Sequence, residues 1–179
     1  MRYIDFDGVI LDTEDLLFEE WRKNPDRHLL PPGSKIKYIH DADWKFILEN
    51  SPEINDSFYI LKQLDPNKSA ILTKVHSLEN EGHEKIKFIR SKGIQQPVFL
   101  VPYTLKKSEV VDAYDNILID DGLRNLDEWV EAGGYPMFFD KENNNIDTWG
   151  QYNKNGYQRV KKINIKRNNH RWLFFYGII

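Results

Sequence analysis

The chain has 179 residues, no cysteine and a formal net charge of −3. At roughly 100–200 residues per domain it is one domain, long enough to bury a core of its own. The missing cysteine excludes disulfides, thiolate-held zinc, iron–sulfur clusters and a thiolate nucleophile, and 13% aromatic residues argue against a disordered chain.

The opening MRYIDFDGVI lacks the charged start, long apolar stretch and small-residue cleavage site of a secretory signal. No apolar run approaches the ~18 residues of a bilayer span. A cytoplasmic protein without a membrane partner is expected. Tyr3–Phe6 is the first of five short apolar runs; the others are Ala70–Leu72, Val98–Val101, Ile117–Ile119 and Met137–Phe139. Each is continuous rather than alternating, the pattern of strands buried on both faces.

Between the first two runs lie about sixty residues with at least three helical patterns. Leu16–Arg22 is one and Asp41–Glu49 a second. The third opens with Ser51 as N-cap and Pro52 at the first helical position, then stripes Ile54, Phe58 and Leu61. Asn24–Gly33, with Pro25, Pro31, Pro32 and Gly33, reads as a loop. After the second run, Leu78, Gly82, Ile86 and Ile89 are spaced as one face of a helix that stops at Gly93. Leu126, Trp129, Val130 and Gly133 repeat this after the fourth run. Strands alternating with helices indicate a parallel α/β sheet with right-handed crossovers.

The end of the chain is set apart by charge. Residues 1–147 carry 28 acidic and 18 basic side chains, net −10. Residues 148–179 carry Lys154, Arg159, Lys161, Lys162, Lys166, Arg167 and Arg171 and no acid, net +7. A basic tail can seek nucleic acid, although a solvated edge strand or a frayed terminus is the favoured reading. The final HRWLFFYGII is too short an apolar run to span a membrane. It suits a docking strand, a dimer contact or a poorly placed terminus.

Ligands of parallel α/β sheets bind at the carboxyl ends of the strands. The first run ends in Asp5-Phe6-Asp7-Gly8-Val9 and the second in Thr73-Lys74; Lys106 and Lys107 follow the third, and the fourth ends in Asp120-Asp121-Gly122. Singly, each fits a cap, a turn or a solvated side chain. Together, four carboxylates at one edge would repel unless something neutralised them. Mg²⁺ with oxygen ligands does so, and a Lys and a Thr beside it would cradle phosphate. A carboxylate can attack phosphorus to give an aspartyl-phosphate. A second one, two residues on, can protonate the leaving oxygen and later activate water.

These residues resemble the motifs of the haloacid dehalogenase-like (HAD) hydrolase superfamily: Asp5-Phe6-Asp7-Gly8-Val9 after a strand, Ala70-Ile71-Leu72-Thr73, a lysine, and Asn116-Ile117-Leu118-Ile119-Asp120-Asp121, in that order across residues 2–140. The resemblance implies a three-layer Rossmann-like core, with a parallel sheet of about five strands. It implies Asp5 as nucleophile and metal ligand. Asp7 would be general acid/base, with its backbone carbonyl on the metal. Thr73 would contact the phosphoryl group, Lys107 (with Lys106 the alternate) would bind phosphate, and Asp120 and Asp121 would hold Mg²⁺. Thirteen positions separate Lys107 from Asp120, longer than in several relatives.

Sixty-five residues lie between Asp7 and Thr73, room for a small helical cap; the thirty-three between Thr73 and Lys107 leave none for a large second one. The expected division is therefore 1–13 and 66–150 as core, 14–65 as helical cap and 151–179 as a basic extension. The run from Asp121 to Leu126 and the strand ending Phe138-Phe139-Asp140 are similar to the 5'(3')-deoxyribonucleotidase-like branch. The Asp7–Thr13 segment is equally similar to small-capped phosphatases and sugar-phosphate mutases. Phe18, Trp21, Tyr38 and Trp44 could stack a base, but core packing is the favoured role. His28, His40, His76, His83 and His170 show no metal spacing and read as surface or capping residues.

The leading expectation is a Mg²⁺-dependent phosphomonoesterase acting on a small phosphorylated metabolite, with a (deoxy)nucleoside monophosphate as one candidate. The alternatives are a nucleic-acid-end (3') phosphatase using the basic tail, and a phosphate-binding HAD-like domain without turnover. A phospho-accepting receiver domain is disfavoured by order, since there the acid pair comes first and the lysine last. The sequence leaves the oligomeric state open.

Overall fold

The computed structural model describes residues 1–141 and 155–163. Six strands form one sheet: β1 (Arg2–Ile4), β2 (Ser69–Val75), β3 (Val98–Pro102), β4 (Ile117–Asp120), β5 (Tyr135–Phe139) and β6 (Gln158–Val160). Their order is β3-β2-β1-β4-β5-β6, and every neighbouring pair is parallel. All five apolar runs are therefore strands. The sixth, β6, comes from the stretch that composition set apart as a basic extension; its Val160 is buried and it hydrogen-bonds along β5. The charged tail 164–179, with its apolar end, lies outside the described residues.

Strand alternation builds three layers. Tyr3, Ala70, Leu72 and Leu118 face one side, where they pack with Leu126 and Trp129 of α6 (Leu123–Glu131). Ile4, Ile71 and Ile119 face the other. There they meet α1 (Thr13–Lys23), α2 (Ser34–His40), α3 (Trp44–Asn50), α4 (Ser57–Gln63) and α5 (His83–Ser91), through residues such as Leu17, Ile39, Trp44, Leu61 and Ile89. The four helices between β1 and β2 thus share one continuous core with the sheet. Of the aromatic residues of this insertion, Phe18, Tyr38 and Trp44 pack on the core, whereas Phe46 and Tyr59 are exposed. Trp44 is buried and its indole N–H donates to Ile39 O, while Tyr38 donates to Leu17 O and lies against Trp21.

The helix expected over Asp41–Glu49 begins at Trp44, capped by Asp43, and Ser34–His40 forms a helix of its own. Two further helix readings change. The helix expected from Ser51 begins only at Ser57. Residues 52–54 are held extended instead: Leu11 bridges to Glu53, Asp12 N–H donates to Pro52 O, and Ile54 N–H donates to Ile10 O. Asn55 and Asp56 then turn the chain with positive φ. The second change concerns α5. Leu78 and Ile86, expected inside, are exposed, and the inward face is Glu81, Gly82, Lys85, Phe88 and Ile89. A wide turn at Leu78–Gly82, closed by Gly82 N–H to Ser77 O, precedes α5 and breaks the phase of the apolar stripe.

Candidate active site

β1 is central. The chain moves to β2 and β3 on one side, then returns to β4 on the other, so the crevice at the carboxyl ends of β1 and β4 is a topological switch point. Asp5 follows β1 directly, and its N–H donates to Ile119 O of β4. Asp120 ends β4 and is fully buried. Lys107 opens a short helical turn after β3 (Lys107–Glu109) and reaches into the crevice, 2.9 Å from Asp5 Oδ1 and 2.6 Å from Asp120 Oδ2. Lys106, its neighbour, is exposed and pairs with Glu131. The chain can turn only one of two consecutive residues inward, and here it is Lys107.

Asp120 is further held by Gly122 N–H (2.8 Å) and by Asn125 Nδ2, 3.1 and 3.0 Å from its two oxygens. Asp121 comes next. A Cβ on Gly8, whose φ is +71°, would overlap the Asp121 carboxylate, so the Asp7–Gly8 turn packs closely on it. Asp5, Asp120 and Asp121 each offer a carboxylate oxygen within 4.8 Å of the others. Burial pushes the Asp5 carboxyl up to about 7; Asp120 adds to the shift and Lys107 opposes it. Asp121 keeps surface open to solvent, yet desolvation of its carboxyl on the protein side, then Asp5, Asp120 and Glu14, push it up to about 8. Three clustered carboxylates, two of them with raised affinity for protons (Asp5 and Asp121), fit a hard divalent cation with oxygen ligands such as Mg²⁺.

Asp7 belongs to a different group. Its side chain meets Thr13 and Lys85 rather than Lys107: Thr13 Oγ1 donates to Oδ1 at 2.7 Å, and Lys85 Nζ lies 2.5 Å from Oδ2. The Thr73 hydroxyl, read from sequence as a phosphoryl contact, is fully buried; it accepts from Lys85 (3.2 Å) and lies 3.3 Å from Asp7 Oδ2 as donor. Lys85 also bonds Glu81 at 2.7 Å. Burial works to discharge the Lys85 ammonium, but Asp7 and then Glu81 outweigh it and push it up to about 12.

Solved structures share this arrangement of strands. A candidate β-phosphoglucomutase from Thermotoga maritima aligns over 89% of this chain and 93% of its own, at 15% identity and a TM-score of 0.58. The candidate HAD-hydrolase YfnB from Bacillus subtilis, solved with magnesium, aligns over 90% and 93%, at 15% identity and a TM-score of 0.54. The L-2-haloacid dehalogenase from Xanthobacter autotrophicus aligns over 80% and 78%, at 12% identity and a TM-score of 0.51. The fold is that of the haloacid dehalogenase-like hydrolases. No family model matches the sequence, and no curated protein does.

On this HAD fold the sequence reading missed four side chains. Lys85 and Glu81 were overlooked because a helical lysine is ordinarily solvated. The signal was their i, i+4 spacing on the face shared with Gly82, Phe88 and Ile89. Thr13 and Asn125 stood within quoted motifs without a role. His76 departs from the surface reading: it stacks on Tyr103 at 4.8 Å, and its N–H donates to Glu81 Oε2. Of the histidines, His28, His40 and His83 are exposed and His170 lies outside the described residues. None of the described helices is long and apolar enough to cross a membrane.

Proposed function

We propose that the chain is a Mg²⁺-dependent phosphomonoesterase acting through an aspartyl-phosphate on a small organic phosphate. The observation that carries this reading is the separation of Asp5 from Asp7. Two residues apart, one carboxylate sits with Lys107 and the acid cluster, the other with Thr13 and Lys85. That gives two carboxylates two environments, and so two roles.

In this reading Asp5 attacks phosphorus and the bond to the leaving oxygen breaks. Asp7 passes the proton carried in by the monoanionic ester to that oxygen, so the alcohol departs neutral. Asp7, now a carboxylate, takes a proton from water as the water oxygen attacks the same phosphorus; the Asp5–phosphorus bond breaks, releasing phosphate and restoring both groups. Lys107 offsets charge on the transferred group. Asp5, Asp120 and Asp121, with the Asp7 backbone carbonyl, would hold Mg²⁺, which supplies electrostatic stabilisation of the phosphoryl oxygens.

A nucleoside monophosphate is one member of this substrate class, and Phe18, Tyr38 and Trp44, engaged in packing, do not favour it over others. The nucleic-acid-end alternative rests on the basic tail. Of its cations, Arg159 is already paired with Asp140, and Lys154, Lys166, Arg167 and Arg171 lie outside the described residues. The deciding experiment is hydrolysis of p-nitrophenyl phosphate and of a panel of phosphorylated metabolites, deoxynucleoside monophosphates included, with Mg²⁺. Wild-type turnover abolished by Asp5→Asn is expected. Equal activity in that variant overturns the mechanism, and no turnover in the wild type favours the binding-domain alternative.

A further inference from the structure

The buried ion pairs divide into two sets. Lys107 serves Asp5 and Asp120, whereas Lys85, on the far side of β2 in sequence, serves Asp7 and Glu81. Of the second set only Asp7 has a part in the reaction, yet burying Lys85 and Glu81 beside it is expensive. Lys85 is fully buried, and an ammonium out of water is tolerated only when neighbouring groups compensate for its lost hydration. Those groups are Asp7, Glu81, the Thr73 hydroxyl and Lys74 O at 3.3 Å, with the faces of Trp44 and Phe6 at 5.0 and 5.6 Å.

The arrangement is directional. Glu81 is fixed by His76 N–H at 2.7 Å and holds Lys85 from one end. Lys85 and Thr73 then grip Asp7 Oδ2 from the sheet side, while Thr13, the first residue of α1, grips Oδ1 from the insertion. A half-exposed aspartate on a tight turn would otherwise sample several rotamers. With both oxygens held, it has one. The close approach of Gly82 to Leu100, where a Cβ would lie 2.7 Å from Cδ1, lets the wide turn before α5 carry Glu81 and Lys85 inward.

Building on the phosphomonoesterase reading, we propose that Lys85, braced by Glu81, is a positioning residue that aims Asp7 at the leaving-group oxygen. Its contribution is therefore to the delivery of the proton rather than to phosphate binding, and it should matter most where the leaving oxygen most needs protonation. A p-nitrophenolate departs without help, whereas an alkoxide does not.

The test compares kcat/KM for p-nitrophenyl phosphate and for an alkyl phosphate monoester in wild type, Lys85→Met, Lys85→Arg and Glu81→Gln. The parameter kcat/KM ends at the first irreversible step, so water attack on the phosphoenzyme does not enter. A positioned general acid is worth about 10²–10⁴-fold. Lys85→Met should thus lose about 10²-fold or more on the alkyl ester and less than about tenfold on the aryl ester. Lys85→Arg should recover part of the alkyl activity, and Glu81→Gln should show the same bias more weakly. Equal losses on both esters in the folded variants mean a purely structural lysine and overturn the assignment while leaving the phosphatase reading intact. Should Lys85→Met fail to fold, Glu81→Gln and Lys85→Arg decide by the same ratio. A wild type that hydrolyses neither ester overturns both readings.

Discussion

Lys107 and Asp120 form an ion pair of 2.6 Å in which neither side chain reaches solvent. Removing the cation leaves a buried carboxylate without its counter-charge, which costs about 3–5 kcal/mol. Lys107→Met should lower stability in chelator by that amount and abolish phosphatase activity. Lys106→Met, which breaks only the exposed pair with Glu131, should change stability by about 0.5 kcal/mol or less and leave turnover near wild type. Denaturant melts and p-nitrophenyl phosphate assays on the two variants check the assignment of the lysine.

Asn125 gives Asp120 a second anchor through one amide nitrogen placed near both carboxylate oxygens. Asn125→Ala keeps the lysine pair but strips that donor, at a cost of about 1–3 kcal/mol. The midpoint of urea unfolding should fall accordingly, with its slope unchanged. An unaltered midpoint would mean that Lys107 and Gly122 N–H alone satisfy Asp120.

Gly8 leaves no room for a side chain beside Asp121 and sits at a φ of +71°. Gly8→Ala should therefore displace the Asp121 carboxylate and raise the Mg²⁺ concentration needed for half-maximal activity by about 10–100-fold. Mg²⁺ titration of the variant, followed by activity, gives the readout.

The acid cluster sets a pH dependence whose sign is opposite to that of ordinary paired carboxylates. Asp5 is pushed up to about 7 and Asp121 to about 8, by burial and then by neighbouring carboxylates. Across the interval from about pH 4, where carboxyls of the unfolded chain ionise, to about pH 8, the folded protein retains protons that the unfolded chain has shed. Their stabilising contribution is complete below the interval and lost as pH rises through it. Metal-free protein should melt at progressively lower temperature from about pH 5 to about pH 8. A cation that replaces those protons should raise the melting temperature more at the upper end than at the lower. Melting curves with chelator and with millimolar MgCl₂ test both slopes.

The strands and the residues at their ends were legible because both signals are local. A continuous apolar run followed by Asp5-Phe6-Asp7-Gly8 or Asp120-Asp121-Gly122 announces a buried parallel strand and the acidic residues at its carboxyl end within ten residues. The Leu126 and Trp129 face of α6 was legible for the same reason, since nothing there competes with apolar burial. The beginning of α4 was not. Ser51 and Pro52 are sound helix-starting residues, but the hydrogen bonds that hold residues 52–54 extended come from residues 10–12, some forty positions away. β6 was legible only as an edge strand offered beside a frayed terminus, because its short sequence finds its partner only along β5.

By itself the sequence determined a parallel α/β chain with acidic groups at the ends of two strands, because hydrophobic period and motif order depend on neighbours in the chain. Only the tertiary structure decided which lysine meets which carboxylate. Lys106 and Lys107 are adjacent and chemically alike, and Lys85 lies on a helix where Ile86, rather than the lysine, was the expected inward residue. What separates them is burial beside a counter-charge, a property of groups 13, 78 and 102 positions apart in Asp120–Lys107, Asp7–Lys85 and Asp5–Lys107. A buried ammonium can exist only where the fold has already assembled its partners.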